Sequence, residues 1–270
     1  MQSARGTTPN RLESYRIQTL PPNFYYIHDF ITTEEEASLL QKIPSQRWIS
    51  LSHRRLQAHP STLTKSNTLL GAPLPQYLVN PIVDRFKTLG IFDHTPHKGP
   101  NHVLINEYRR GEGIMPHEDG NAYADAVATI SLGSALCLDI IPKSVSDEER
   151  AMNDEETNAA GGFEKNGTLS SVPNSPSLQH KLPTRILQEP RSLLVTTSGA
   201  YMDLLHGISP IEVDENLNSS TVANWGLLAS HRVFEQTGGL NERGTRISLT
   251  YRDVLKVSSA ANKVFGGPRK

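Results

Sequence analysis

The chain has 270 residues, and its 27 basic and 28 acidic side chains give a net charge of −1. The net charge therefore does not indicate a nucleic-acid partner. The single cysteine, Cys137, excludes an intrachain disulfide and suits a reducing compartment. No secretory signal precedes residue 20 and no stretch approaches a membrane span, so we expect no membrane partner and a location in the cytoplasm, the nucleus or both.

We expect a monomer with one domain over residues 16–256, between flexible termini at residues 1–15 and 257–270. Two inserts interrupt this domain. The first, about residues 143–183, is rich in Ser, Asn, Glu, Gly and Pro, which predicts a disordered acidic surface loop. The second, about residues 211–242, could cover the mouth of a site or extend freely into solvent.

Two helices are predicted on the N-terminal side. The first follows Asp29, with acidic residues in its first turn and apolar residues behind them. The second covers residues 76–89, where apolar positions recur at helical spacing.

Strands dominate the rest of the chain. Short strands with helices gathered on the N-terminal side favour a mainly β (α+β) architecture, a double-stranded β-helix or jelly roll. The predicted strands cover residues 103–108, 114–117, 129–141, 185–188, 192–197, 202–208 and 246–255.

A candidate metal site begins with His117 and Asp119, and His206 follows far downstream. Two imidazoles and one carboxylate are a ligand set that leaves three positions open on a ferrous ion. His-x-Asp alone is a weak signal, because composition gives about one chance occurrence in two such chains. On a continuous strand His117 and Asp119 would share one face, while Pro116 and Glu118 would point the other way.

A second polar pattern lies near the C-terminus, where Arg246, Ser248, Thr250 and Arg252 alternate with apolar residues. On a strand the two arginine Cα atoms would lie about 20 Å apart, and inward-reaching guanidinium groups would leave roughly 6–8 Å, close to the span of a five-carbon dicarboxylate. Arginine binds carboxylates bidentately and stays protonated. A solvated strand face is the alternative, but the short polar residues between the arginines favour a polar pocket.

Six motifs follow one another along the chain: Asn106-Glu107-Tyr108, Gly111-x-Gly113-Ile114, His117-Glu118-Asp119, Thr129 to Ser134, Leu204 to Ile208, and Arg246 to Arg252. In this order they resemble AlkB-like iron(II)/2-oxoglutarate dioxygenases, over residues from about 20 to 256 with gaps at the inserts. Residues 54–57, 101–104, 111–120 and 189–195 look most like the AlkB homologue 6 subgroup of this family.

The resemblance implies that His117, Asp119 and His206 hold Fe(II), which carries the catalysis. It also implies a 2-oxoglutarate site in which Arg246 with Tyr108 binds the distal carboxylate and Arg252 with Asn106 binds the end near the metal. Ser248 and Thr250 would line this site. Ser248 stands where the family often has Asn, and Arg110 stands where it often has Pro.

A substrate lid is also implied, over residues 48–57. Its candidate residues are Trp48, Arg54, Arg55 and Gln57, in a basic stretch where a base could stack and phosphates could be attracted. Trp48 could equally pack in the core.

The expected function is an enzyme that uses O₂ and 2-oxoglutarate to oxidise an alkylated base of DNA or RNA, most simply by demethylation with release of succinate, CO₂ and formaldehyde. A protein side-chain hydroxylase or demethylase, and a nucleic-acid-binding module with little or no turnover, remain open. A zinc hydrolase would share the ligand set but would give Arg246 and Arg252 no role.

Overall fold

The computed structural model describes residues 11–143 and 184–258. The acidic insert and the outer parts of both predicted flexible termini lie outside these residues.

The strands are β1 (Phe24–Ile27), β2 (Ile49–Leu51), β3 (Arg54–His59), β4 (Thr68–Leu70), β5 (His102–Tyr108), β6 (Ile114–His117), β7 (Tyr123–Gly133), β8 (Leu136–Pro142), β9 (Thr184–Gln188), β10 (Leu193–Thr197), β11 (Leu204–Ile208), β12 (Val213–Asp214), β13 (Asn241–Glu242), β14 (Arg246–Val254) and β15 (Lys256–Ser258). The helices are α1 (Thr33–Lys42), α2 (Gln76–Val79), α3 (Ile82–Leu89), α4 (Ser198–Met202) and α5 (His231–Gln236).

Two antiparallel sheets build the fold. The major sheet has the order β1-β10-β7-β14-β5-β3-β2, and the minor sheet has the order β6-β11-β8-β9. Residues of both sheets line one cavity. This confirms the predicted double-stranded β-helix with N-terminal helices.

Alternation along β14 separates the cavity from the main core. Leu249 and Tyr251 are fully buried in a cluster that includes residues of α1, α2 and α3. The alternate residues of β14 line the cavity instead: Arg246, Ser248, Thr250 and Arg252. The helices therefore cover one face of the major sheet and leave the other face for the site.

Helix α1 has the predicted acidic first turn, but it begins at Thr33 rather than directly after Asp29. Thr32 and Glu35 form a capping box, in which Glu35 N donates to Thr32 Oγ1 at 3.2 Å and Thr32 N donates to Glu35 Oε2 at 2.8 Å. The same glutamate pairs with Arg85 of α3 at 2.7 Å, which joins the two helices.

Three predicted elements are interrupted. The helix over residues 76–89 is two helices, because Pro81 lacks an N–H and disfavours helical geometry at Asn80, which is extended. The strand over residues 129–141 is β7 and β8, which are separated at Gly133, whose φ of +82° ends the first strand. The strand over residues 202–208 begins only at Leu204, because α4 carries the chain from the major sheet to the minor sheet.

The second insert forms an outer layer on the minor sheet. Its Asn224 side chain accepts from Leu187 N at 2.9 Å and donates to Leu187 O at 2.8 Å. The buried Glu189 carboxylate accepts from the backbone N–H groups of Ala229 and Ser230 at 3.1 and 2.8 Å. The described lining of the cavity includes no residue of this insert, so it follows neither predicted alternative.

The N-terminus is ordered earlier than predicted, since Leu12 is buried in the main core. At the other end, β15 pairs in parallel with β4. Within the described residues, no helix has the length and apolar character needed to cross a bilayer.

Candidate active site: a His-Asp-His cluster beside a buried arginine

A cavity of about 290 Å³ lies between the two sheets. One wall is polar and comes mainly from β5 and β14, while apolar side chains such as Leu138, Ile140 and Leu194 form much of the rest. The predicted metal and 2-oxoglutarate residues all line it: Asn106, Tyr108, His117, Asp119, His206, Arg246, Ser248, Thr250 and Arg252.

His117, Asp119 and His206 form the metal-binding candidate. Each offers a ligand atom, and these atoms all lie within 4.8 Å of one another. The two imidazole centroids are 4.5 Å apart, because His117 and His206 are cross-strand partners on β6 and β11. His117 Nδ1 lies 2.9 Å from the carbonyl oxygen of Met115 and must donate to it, which leaves Nε2 free as a metal ligand.

A β-bulge in β6 orients the side chain of His117 towards the cavity. His206 pairs with His117 and Ile208 pairs with Ile114, so two steps on β11 match three steps on β6. Both Ile114 and His117 therefore face the cavity. Gly207 permits this approach, because a Cβ there would lie 3.0 Å from Pro116 N and 3.1 Å from Pro116 Cα.

The prediction that His117 and Asp119 share one face of a continuous strand is wrong, because β6 ends at His117 and Asp119 lies beyond it. For the same reason Glu118, which was expected to point away, also lines the cavity. Its carboxylate accepts from Lys143 Nζ at 2.6 Å, and Lys143 also donates to the Met202 carbonyl oxygen.

Arg252 balances the negative charge of Asp119 in this part of the cavity. Its guanidinium is buried, donates directly to the Asp119 carboxylate and lies 4.7 Å above the Tyr123 ring. Burial lowers the pKa of His206 from 6.5 to about 4, which keeps this imidazole in the neutral form that binds metals.

Arg246 is a buried cation without an anionic partner among the described residues. Its side chain is 2% exposed, and Nη2 donates to Gln188 Oε1 at 2.6 Å and to Ser131 Oγ at 2.9 Å. Nε has no hydrogen-bond partner within the part of the chain that the structure describes. Burial lowers the pKa of Arg246 from 12.5 to about 10. A desolvated charge of this kind is costly unless an anion pairs with it, so the site is built to receive one.

Four further predicted residues lie near this arginine on β5 and β14. Ser248 and Thr250 are buried between the two arginines of the strand. Burial raises the pKa of Tyr108, whose hydroxyl makes no hydrogen bond with the described residues. Asn106 Oδ1 accepts from Arg54 Nε at 3.3 Å.

The predicted lid residues do not share one face. Arg54 lines the cavity, but β3 alternates, and Arg55 pairs on the opposite face with Glu107 at 2.6 Å. The Arg55 guanidinium lies 4.5 Å above the Trp48 ring, and this tryptophan packs against the main core. Gln57 is buried and donates to the Pro44 carbonyl oxygen. Of the four residues, only Arg54 can meet a molecule in the cavity.

Two apolar residues on the same hairpin lie within the predicted lid, residues 48–57, but were not named among its candidates. Ile49 and Leu51 pair with Leu56 and Arg54 across β2 and β3, so they lie on the face of Arg54. They are 50% and 45% exposed. The signal was an apolar alternation directly before the basic stretch.

Gln188 and Ser131, the partners of Arg246, were also missed as site residues. Ser131 lies in a motif that was noted without a role, and Gln188 follows the apolar pair Ile186-Leu187 at the end of a predicted strand. A polar residue at the buried end of such a strand was the available signal.

These residues fit a ferrous ion with an anionic cosubstrate. The ligand set suits non-haem Fe(II), and the unpaired Arg246 suits a carboxylate in the same cavity. A ligand set without a nearby unpaired cation would have suited zinc as well.

Comparison with known proteins agrees with this geometry. The chain matches the family model of the 2OG-Fe(II) oxygenase superfamily over residues 23–252. It is 35% identical over 252 residues to "Probable RNA/DNA demethylase ALKBH6" of Danio rerio, across 92% of this chain and 93% of that protein. It is 28% identical over 238 residues to "Uncharacterized protein L905" of Acanthamoeba polyphaga mimivirus, across 86% of this chain and 85% of that protein.

A third relative shares only part of its length with this chain. It is "tRNA (carboxymethyluridine(34)-5-O)-methyltransferase ALKBH8" of Mus musculus, 26% identical across 89% of this chain and 32% of that protein. Because the family model spans every residue that lines the cavity, and a relative is 35% identical over nearly the whole chain, this protein belongs to the 2OG-Fe(II) oxygenase superfamily, among its AlkB-like enzymes.

Proposed function

We propose that this protein demethylates alkylated bases of DNA or RNA with Fe(II), 2-oxoglutarate and O₂. The observation that carries the oxygenase chemistry is the unpaired Arg246 in the cavity that also holds His117, Asp119 and His206. Neither feature alone would distinguish an oxygenase from a metal hydrolase.

In this proposal His117, Asp119 and His206 hold the ferrous ion. When bound, the ion would supply the chemistry that couples oxidation of 2-oxoglutarate by O₂, to succinate and CO₂, to insertion of the second oxygen atom into a substrate C–H bond. When that carbon is an N-methyl group, the hydroxymethyl product loses formaldehyde and leaves the unmodified base.

The remaining residues bind and orient. Arg246 and the Tyr108 hydroxyl bind the distal carboxylate of 2-oxoglutarate, and Asn106 and Arg252 bind the end nearer the metal. Arg252 also fixes Asp119 through direct contact. The apolar wall excludes water, which strengthens these electrostatic contacts.

A nucleic-acid substrate is supported by two observations. The relative with 35% identity is named a probable RNA/DNA demethylase. The β2–β3 hairpin places Ile49, Leu51 and Arg54 on one face beside the cavity, which offers apolar contact to a base and a cation to a phosphate.

The test is turnover by the Fe(II)-loaded protein with 2-oxoglutarate and N-methylated single-stranded DNA, RNA or peptide. We expect formaldehyde and succinate in equal amounts with a methylated oligonucleotide, and neither product from the His206→Ala variant. Formaldehyde released only from the methylated peptide would overturn the nucleic-acid substrate. Absence of succinate under every condition would overturn the oxygenase assignment.

A further inference from the structure

Gln188 joins the two sheets at the buried arginine. It ends β9 of the minor sheet, while Ser131 and Arg246 lie on neighbouring strands of the major sheet. Gln188 Oε1 accepts from Arg246 Nη2 at 2.6 Å and from Ser131 Oγ at 3.0 Å. Ser131 Oγ in turn accepts from Arg246 at 2.9 Å. All three side chains are at most 2% exposed, so water does not compete for these bonds.

The neutrality of Gln188 matters as much as its position. A carboxylate at this place would form a buried ion pair with Arg246, because the present acceptor already lies at 2.6 Å. The amide oxygen orients the guanidinium without cancelling its charge. Nε and Nη1 of Arg246 make no hydrogen bond with the described residues, so they stay available for an incoming anion.

Gln188 also carries a donor that nothing described here uses. Its Nε2 group makes no hydrogen bond within residues 11–143 and 184–258, and the residue lines the cavity. A carboxylate bound to Arg246 can therefore take a second hydrogen bond from this amide.

We propose that Gln188 determines the preference of this site for a cosubstrate with a distal carboxylate, by orienting Arg246 while leaving its charge uncompensated. This inference rests on the proposed function, since the anion is the distal carboxylate of 2-oxoglutarate.

The test compares Gln188→Glu and Gln188→Met by calorimetry, with 2-oxoglutarate added to the Mn(II)-loaded full-length protein. We expect the glutamate variant to lose more than about tenfold in affinity, the methionine variant to lose less, and the metal-free glutamate variant to unfold at the same or a higher temperature. If Gln188 only supported the structure, the methionine variant would lose more affinity for 2-oxoglutarate than the glutamate variant, because glutamate keeps the hydrogen-bond acceptor and methionine removes it.

A second readout is the preference for 2-oxoglutarate over 2-oxopentanoate, which lacks the distal carboxylate. Gln188→Glu should abolish this preference, whereas the exposed Gln236→Glu, which makes the same charge change, should keep it. Affinity of Gln188→Glu within about twofold of the parent protein would overturn the inference alone. Failure of the Mn(II)-loaded parent protein to bind 2-oxoglutarate would overturn the proposed function and this inference together.

Discussion

Arg243 and Arg246 are three residues apart and both are buried, yet their surroundings differ. Arg243 forms two hydrogen bonds with the buried Asp214 carboxylate, at 2.5 and 2.9 Å, and donates to Ser209 O at 2.6 Å. Arg246 has only neutral acceptors among the residues described. The first arginine is satisfied by the fold itself, and the second is satisfied only when an anion binds.

This contrast predicts opposite effects of two similar substitutions. Arg243→Met leaves the buried Asp214 carboxylate without a cation among the described residues, although the Asn241 amide still donates to it, so we expect a loss of roughly 3–5 kcal/mol in the free energy of unfolding. Arg246→Met leaves no charge unpaired, so stability should be unchanged or higher, while 2-oxoglutarate affinity falls about 100-fold. Urea unfolding and calorimetry on both variants check this. Equal destabilisation by both would contradict it.

At the residue scale the sequence predicted the groups that reach the cavity but not the groups that support them. Arg246 and Arg252 were predictable because alternation along one strand is a local pattern. Gln188 and Ser131 contact Arg246 across sheets, and such a contact between distant segments has no local signature.

The β6 bulge and the glycine opposite it form the element on which the metal-binding candidate depends. Gly207→Ala would place a Cβ 3.0–3.2 Å from backbone atoms of Pro116 and Ile114, which cannot move as a side chain can. We expect β6 to shift away from β11 and the affinity for Co(II) to fall at least tenfold, since ligand geometry governs such binding. Gly226→Ala is the control, because no atom of residues 11–143 or 184–258 lies within 4 Å of its Cβ position. Similar metal affinities in both variants would contradict the role of the bulge.

The β2–β3 hairpin yields a prediction about substrate. Replacing Ile49 and Leu51 by Ser removes apolar contact worth roughly 1–2 kcal/mol, so the KM for a methylated oligonucleotide should rise about 5- to 30-fold. The affinity for 2-oxoglutarate should not change. Leu70→Ser, which alters a leucine with 46% exposure on the separate strand β4, is the matched control. A KM equal to that of the control would exclude this face from substrate binding.

At the element scale most strands that line the cavity were predictable, and the errors have local causes. Pro81 divides a helix, Gly133 ends a strand, and α4 replaces the start of another. The prediction that Trp48, Arg55 and Gln57 face the substrate was wrong for a different reason. Alternation shows that a strand has two faces, but only the pairing of β3 with β5 shows which face borders the cavity.

For the whole molecule, the burial of His102 links stability to pH. Burial lowers its pKa from 6.5 to about 4, with smaller repulsion from Arg252 and His59. Between these two pH values the unfolded chain binds a proton that the folded chain excludes, so stability falls as pH drops through this window and the effect is absent above it.

His102→Gln should therefore flatten the dependence of unfolding free energy on pH, by up to about 1.4 kcal/mol per pH unit within the window. Urea unfolding of the metal-free protein at several pH values between about 4 and 8 measures this slope. His53→Gln changes an exposed histidine and serves as the control. Parallel curves for His102→Gln and the parent protein would contradict the linkage.

The outer layer formed by residues 211–242 has a consequence for the cavity, although none of its residues lines it. Its contacts hold Leu187 and Glu189, the two neighbours of Gln188 in the chain. Because both neighbours of Gln188 are held by hydrogen bonds, its backbone is restrained. The side-chain oxygen can therefore accept from Arg246 with a smaller loss of conformational entropy. Residues 211–242 thus restrain the chain on both sides of the buried amide, from a layer outside the minor sheet.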